Sequence, residues 1–83
     1  MNQDAAETLA LKALSWLVGN DDLLPVFLGA SGASVEDLKS QAATAEFQAS
    51  VLEFLTMDDA WVMAFCDTVS QPYEAPMMAA QVL

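Results

Sequence analysis

Histidine and arginine are missing from this 83-residue chain, and lysine occurs twice, at Lys12 and Lys39, against 12 carboxylates for a net charge of −10. Without an imidazole there is no ready general base near neutral pH and no nitrogen ligand for a transition metal. With so few cations, a phosphate backbone is repelled rather than bound, and an anionic membrane surface is disfavoured for the same reason. The single cysteine, Cys66, has no partner for an internal disulfide, which fits a reducing compartment. The opening residues MNQDAAE carry no positive charge of the kind that begins a secretory signal, and no apolar run reaches the ~18 residues of a membrane helix. The expected location is the cytoplasm. Three glycines, three prolines and few β-branched residues argue against strands.

What the chain does have is alanine, leucine and an apolar fraction of 55%, written in a pattern that recurs. Residues 47–65, FQASVLEFLTMDDAWVMAF, shifted back by 38 positions, lie over LALKALSWLVGNDDLLPVF at 9–27. Leu52 falls on Leu14, Leu55 on Leu17, Asp59 on Asp21 and Phe65 on Phe27. Phe54 on Trp16 and Phe47 on Leu9 are conservative pairs, and polar positions coincide as well, with Ser50 on Lys12 and Glu53 on Ser15. The spacing therefore predicts an all-α compact bundle of about six helices in one domain, 1–83, built as pseudo-repeats 5–43 and 43–81 of three helices each. The apolar identities Leu14, Leu17, Phe27, Leu52, Leu55 and Phe65 are its expected core.

In order, a first helix is expected over 4–19, with Asp4, Thr8, Lys12 and Ser15 as a narrow polar stripe and Gly19 as its stop. Asp21 or Asp22 is expected to cap the second, with Pro25 near its first turn and Gly32 as a left-handed terminus. Ser34 to Asp37 resembles a capping box for a third helix running to Ala43. Thr44 caps a fourth whose apolar face carries Phe47, Val51, Phe54 and Leu55, opposite Glu46, Ser50 and Glu53. Asp58 or Asp59 caps a fifth over 60–69, and Pro72 and Pro76 bracket the start of a sixth.

Candidate sites are few. The pairs Asp21/Asp22 and Asp58/Asp59 lack the alternating ligands, glycine hinge and terminal glutamate of a calcium loop, so capping explains them and no metal site is expected. Gly29 to Ser34 has neither the preceding strand nor the lysine of a phosphate loop. Cys66 has no histidine or nearby cation to lower its pKa, and reads as a small core residue. Met57, Trp61, Met63, Met77 and Met78 either fill the core or form an adaptable surface for a partner.

The stretches AETLALKALSWL at 6–17, DDLLPVFLGASGASVEDLKSQA at 21–42 and FQASVLEFLTMDDAWVMAF at 47–65 resemble a small group of uncharacterised alphaproteobacterial proteins catalogued as a domain of unknown function. That pattern runs from an apolar helix through D-x-L-L-x-x-F-L and a glycine turn to Pro-Glu at the next helix start. Val35 and Tyr73 stand here where proline is usual, leaving Glu36 and Glu74 as the matching acids, and the basic residues usual near the C-terminus are absent. The resemblance implies an all-helical cytoplasmic bacterial protein and brings no activity, cofactor or catalytic residue.

The functional expectation is a non-enzymatic interaction or regulatory protein that binds a partner helix or a second copy of itself through Met57, Trp61, Met63, Met77 and Met78, with no cofactor, nucleic acid or membrane. The alternatives are a small enzyme using a carboxylate of raised pKa such as Glu53, and an acidic mimic of DNA that occupies a basic groove.

Overall fold

Four of the six helices start where a short polar side chain satisfies a backbone N–H group that the first turn leaves open, and the other two carry proline in the first turn instead. In the computed structural model, which describes residues 1–83, α1 spans Gln3–Val18, α2 Leu24–Ser31, α3 Val35–Ser40, α4 Ala45–Leu55, α5 Asp59–Val69 and α6 Ala75–Val82, and there are no strands. Asn2 Oδ1 accepts from Ala5 N at 2.8 Å to cap α1. Ser34 and Asp37 form the expected capping box at α3, with Asp37 N donating to Ser34 Oγ at 3.3 Å and Ser34 N to Asp37 Oδ2 at 3.0 Å. Thr44 caps α4 and Asp58 caps α5, accepting from Phe47 N and Ala60 N. Asp4, Glu36, Asp37, Glu46 and Asp59 all lie in first turns. There the positive end of the helix dipole favours a carboxylate, which accounts for much of the chain's acidity.

Three details differ from the sequence expectation. The turn into α2 is held by Asn20, whose Oδ1 accepts from Asp22 N at 3.2 Å and Leu23 N at 3.1 Å, while Asp21 and Asp22 are exposed to solvent. Asparagine ahead of the helix closes an Asx turn that the aspartates, one step later, do not reach. α3 stops at Ser40 rather than Ala43, because Gln41 to Thr44 turn toward the next cap; Thr44 Oγ1 donates to Gln41 O at 2.8 Å. Gly19 stops α1, with a negative φ of −81°, and Gly32 is left-handed at φ 75°, both as expected, but a second left-handed terminus stands at Ser70, φ 56°, where none was expected.

The helices bury one shared cluster. Leu17, Phe27, Leu52, Leu55 and Phe65 are fully enclosed and Leu14 nearly so, which places all six repeat identities in the core. α1, α4 and α6 pack mutually and form the centre, with α2 lying on α4 and α1, and α5 on α1. Alanines make this close approach possible: Ala6, Ala10 and Ala13 lie along the inner face of α1, and Ala75 and Ala79 along that of α6. Edge-to-face aromatic pairs tie the outer helices to the centre, Phe27 of α2 on Phe54 of α4 at 5.2 Å and Phe65 of α5 on Trp16 of α1 at 5.9 Å, and Phe27 also meets Phe47 of α4 at 5.9 Å. Such pairs add about 0.5–1.5 kcal/mol each beyond their burial. The radius of gyration, 11.4 Å, is that of a tightly packed chain of this length.

α1 is less enclosed than its composition suggests. Leu11 and Val18, seven residues apart and so on one side of the helix, are about half exposed. No helix is long and apolar enough to cross a membrane.

Candidate functional site

Ending in the left-handed Gly32, α2 packs against α4. A hollow of about 320 Å³ remains between them. Phe27 and Phe54 line its apolar side, Ala30 and Ser31 come from the last turn of α2, and Glu53 and Met57 from the end of α4 and just beyond it. A second hollow of about 290 Å³ shares Ser31 and Ser50 with the first and continues past Gly32 toward Asp37, Glu46 and Phe47. The two form one open groove along α4. Its wall is the row Glu46, Ser50 and Glu53, spaced by four and three residues so that all stand on one side of the helix, with Met57 in the turn just beyond. No lysine lines either hollow.

The five residues flagged in the sequence are not brought together as one patch. Met57 edges the groove and is 75% exposed. Trp61 is half-buried and stacks on Phe54 with ring centroids 4.9 Å apart, so it supports the groove from the side. Met63 is exposed, but two residues along α5 from Trp61 means about 200° around the axis, the opposite side of the helix. Met77 and Met78 are exposed on α6 and line no hollow. The groove itself was missed. Its wall was visible as the polar face of the fourth helix with Met57 four residues beyond Glu53, but the opposing wall comes from α2 and α3, which no local pattern places there.

The chemistry-bearing side chains elsewhere have structural work. Cys66 is buried, and its thiol lies 3.4 Å from the Pro72 carbonyl. Burial pushes its pKa up, and the negative charges of Asp67 and Glu74 push it further. It is therefore a poor nucleophile at neutral pH. The hydroxyl of Tyr73 donates to Asp67 Oδ1 at 2.8 Å, and that bond and the carboxylate's charge raise its pKa. No three of the aspartate, glutamate and cysteine side chains converge as a metal site would require. Gly32 serves as the terminus of α2, and Ser31 Oγ accepts from Ala33 N, so the Gly29–Ser34 turn is closed on itself. A third hollow, at the start of α1, is bounded by Met1, Asp4, Thr8, Lys12 and Gln71.

One polar group is left over in the interior. Gln48 of α4 is 4% exposed; its Nε2 donates to Ala42 O at 2.9 Å, and its Oε1 has no partner. The amide pins the segment between α3 and α4 against the helix that bears the groove.

No curated protein and no solved structure matches this chain. The family described as Protein of unknown function (DUF3572) matches residues 3–83, and the chain belongs to it.

Proposed function

We propose that the chain is a non-enzymatic protein-interaction module, acting in a reducing cytoplasm on a partner that it contacts through exposed apolar side chains. The observation that carries this reading is the placement of the methionines: Met57, Met63, Met77 and Met78 are all 42% exposed or more on a chain of net charge −10. A core built mainly from alanine, leucine and phenylalanine has left the most adaptable side chains outside, where thioether groups repack readily against a partner. The half-buried Trp61 beside the groove is the natural anchor of such a contact. The acidic surround favours a partner with a basic rim. The first-turn carboxylates are spread over four different helices, which favours this reading over mimicry of DNA.

The two-unit organisation is part of the proposal. Phe65 and Phe54 stand 38 positions after Phe27 and Trp16, and the two aromatic pairs they form therefore join equivalent positions, each linking a second helix to the first helix of the other unit. The third helices have diverged: α6 packs on both α1 and α4, whereas α3 has no comparable contact with either.

The test is capture from a native cell extract by the intact chain and by two surface variants, Met57→Glu and the double variant Met77→Glu/Met78→Glu. Retention of a discrete protein by the parent and its loss with one variant is expected. Identical retained sets for all three chains would refute the reading.

A further inference from the structure

Resting on the protein-binding reading, we infer that the groove between α2–α3 and α4 receives a basic segment of a partner protein, one that lays a large apolar side chain against the exposed Ala30 and Met57 and sets lysine or arginine against Glu53 and Glu46. Three independent features select this occupant. The hollow, of about 320 Å³, has the buried Phe27 and Phe54 beneath it and the exposed Ala30 and Met57 as its apolar edge. Its charge is of one sign, with Glu53 in the first hollow, Asp37 and Glu46 in the second, and no lysine in either. Glu53 also stands against its local interest. Five other carboxylates occupy helix first turns, but Glu53 lies in the last turn of α4, where the negative helix end disfavours it and no basic residue offsets it. The last turn of α2 contributes a second negative helix end at Ala30 and Ser31. A cation is what this end of the groove lacks.

A second copy of the chain fits poorly. It offers two lysines and brings another net charge of −10, so the groove would meet repulsion before contact. The geometry also sets the spacing of the partner's cations. Glu46 and Glu53 are two helical turns apart on α4, about 10 Å along the axis. The matching basic residues are seven apart on a partner helix or three apart on an extended segment.

The experiment is a titration of the intact, isotope-labelled chain with synthetic twelve-residue peptides, read by backbone and methionine-methyl NMR shifts. One peptide carries a central leucine pair flanked by lysines at helical i and i+7, a second has glutamates in place of the lysines, and a third has glutamines. The lysine peptide is expected to shift Ser31, Ser50, Glu53 and Met57 selectively and to weaken with salt, while the glutamate peptide does not bind. Glu53→Gln and Glu46→Gln, both exposed and safe for folding, should each weaken the lysine peptide about 1.5- to 5-fold, the range of a rim ion pair. Met57→Glu should abolish the leucine contact. Equal binding of the glutamine and lysine peptides would overturn the basic partner. Shifts confined to Met63, Met77 and Met78 would overturn the groove and leave the protein-binding reading standing. A dimer in sedimentation velocity that protects Glu53 and Met57 would overturn it in favour of a second copy, and no response anywhere to any peptide would count against both.

Discussion

Replacing Gln48 by Glu exchanges an amide nitrogen for an oxygen and converts a silent interior group into a pH-dependent one. Gln48 is 4% exposed, and its one hydrogen bond is donated, from Nε2 to Ala42 O at 2.9 Å. A protonated glutamic acid can still donate to that carbonyl, but an ionised one has only acceptors to offer and faces the carbonyl dipole with like charge. Desolvation and the lost donor both disfavour the charged form, so the variant's folded-state pKa rises above the ~4.3 of an unfolded glutamate. The folded chain then holds its proton at pH values where the unfolded chain has released it, and stability declines as pH climbs from that unfolded value to the folded one. A rise of about 2–3 units, within the range for nearly buried carboxyls, costs about 2.5–3.5 kcal/mol at neutral pH. That is a large part of the ~4–12 kcal/mol available to a domain of this size. Gln48→Met removes the orphaned Oε1 together with the bond, and should stay within about 1 kcal/mol of the parent at every pH. Urea unfolding followed by tryptophan fluorescence from pH 4.5 to 8, at about half-unit steps, measures both differences. A Gln48→Glu penalty that does not change with pH would mean that the side chain escapes to water, and the account of Gln48 as a buried pin would be wrong.

Two further perturbations have definite signs. Gly29 lies inside α2 with open space where a methyl group would stand, no atom coming within 4 Å of it, so Gly29→Ala should stabilise by about 0.5–1 kcal/mol; Gly32, at φ 75°, should lose about 1–2 kcal/mol on the same change, and thermal unfolding of the two variants in parallel reads both. If Gly32→Ala melted with Gly29→Ala, the left-handed terminus would not be fixed in solution. Tyr73 is the single tyrosine, and Asp67→Asn should bring its titration midpoint down by removing the charge that now opposes ionisation; tyrosinate absorbance follows this directly, and an unmoved midpoint would deny the Tyr73–Asp67 bond.

The helices and the core were legible because they depend on local signals. Ser34, Thr44 and Asp58 each sit just before an apolar periodic stretch, and Leu14, Leu17, Leu52 and Leu55 recur at spacings that a buried helical face requires. Asn20 was overlooked because two aspartates next to it are equally good caps on paper, and only the Asx-turn geometry separates them. Ser70 offers no hint of its left-handed backbone, since glycine is the usual signal and serine takes the strain here at the junction between α5 and α6. Methionine is ambiguous by nature: a flexible, weakly polar chain is as suitable for filling gaps as for meeting a partner, and its periodicity does not tell the two apart. The groove was illegible for a different reason. Its walls come from segments about twenty residues apart, and no local signal says that α2 and α4 will stand side by side.

The position of α6 has a bearing on how the chain acquires its structure during synthesis. It is the last of the six helices to be made, yet it packs on both α1 and α4. Until Ala75 and Ala79 arrive, the inner alanine face of α1 and the leucines of α4 have no lid. A nascent chain ending at Ser70 is thus a collapsed but unlocked assembly, expected to bind a hydrophobic dye and to lack a sharp near-ultraviolet dichroism spectrum. Most of the cooperative transition is then expected to await α6, a long closure in sequence for a helical protein. Until then the acidic surface, repelling other copies on the same message, is the chain's main protection against aggregation.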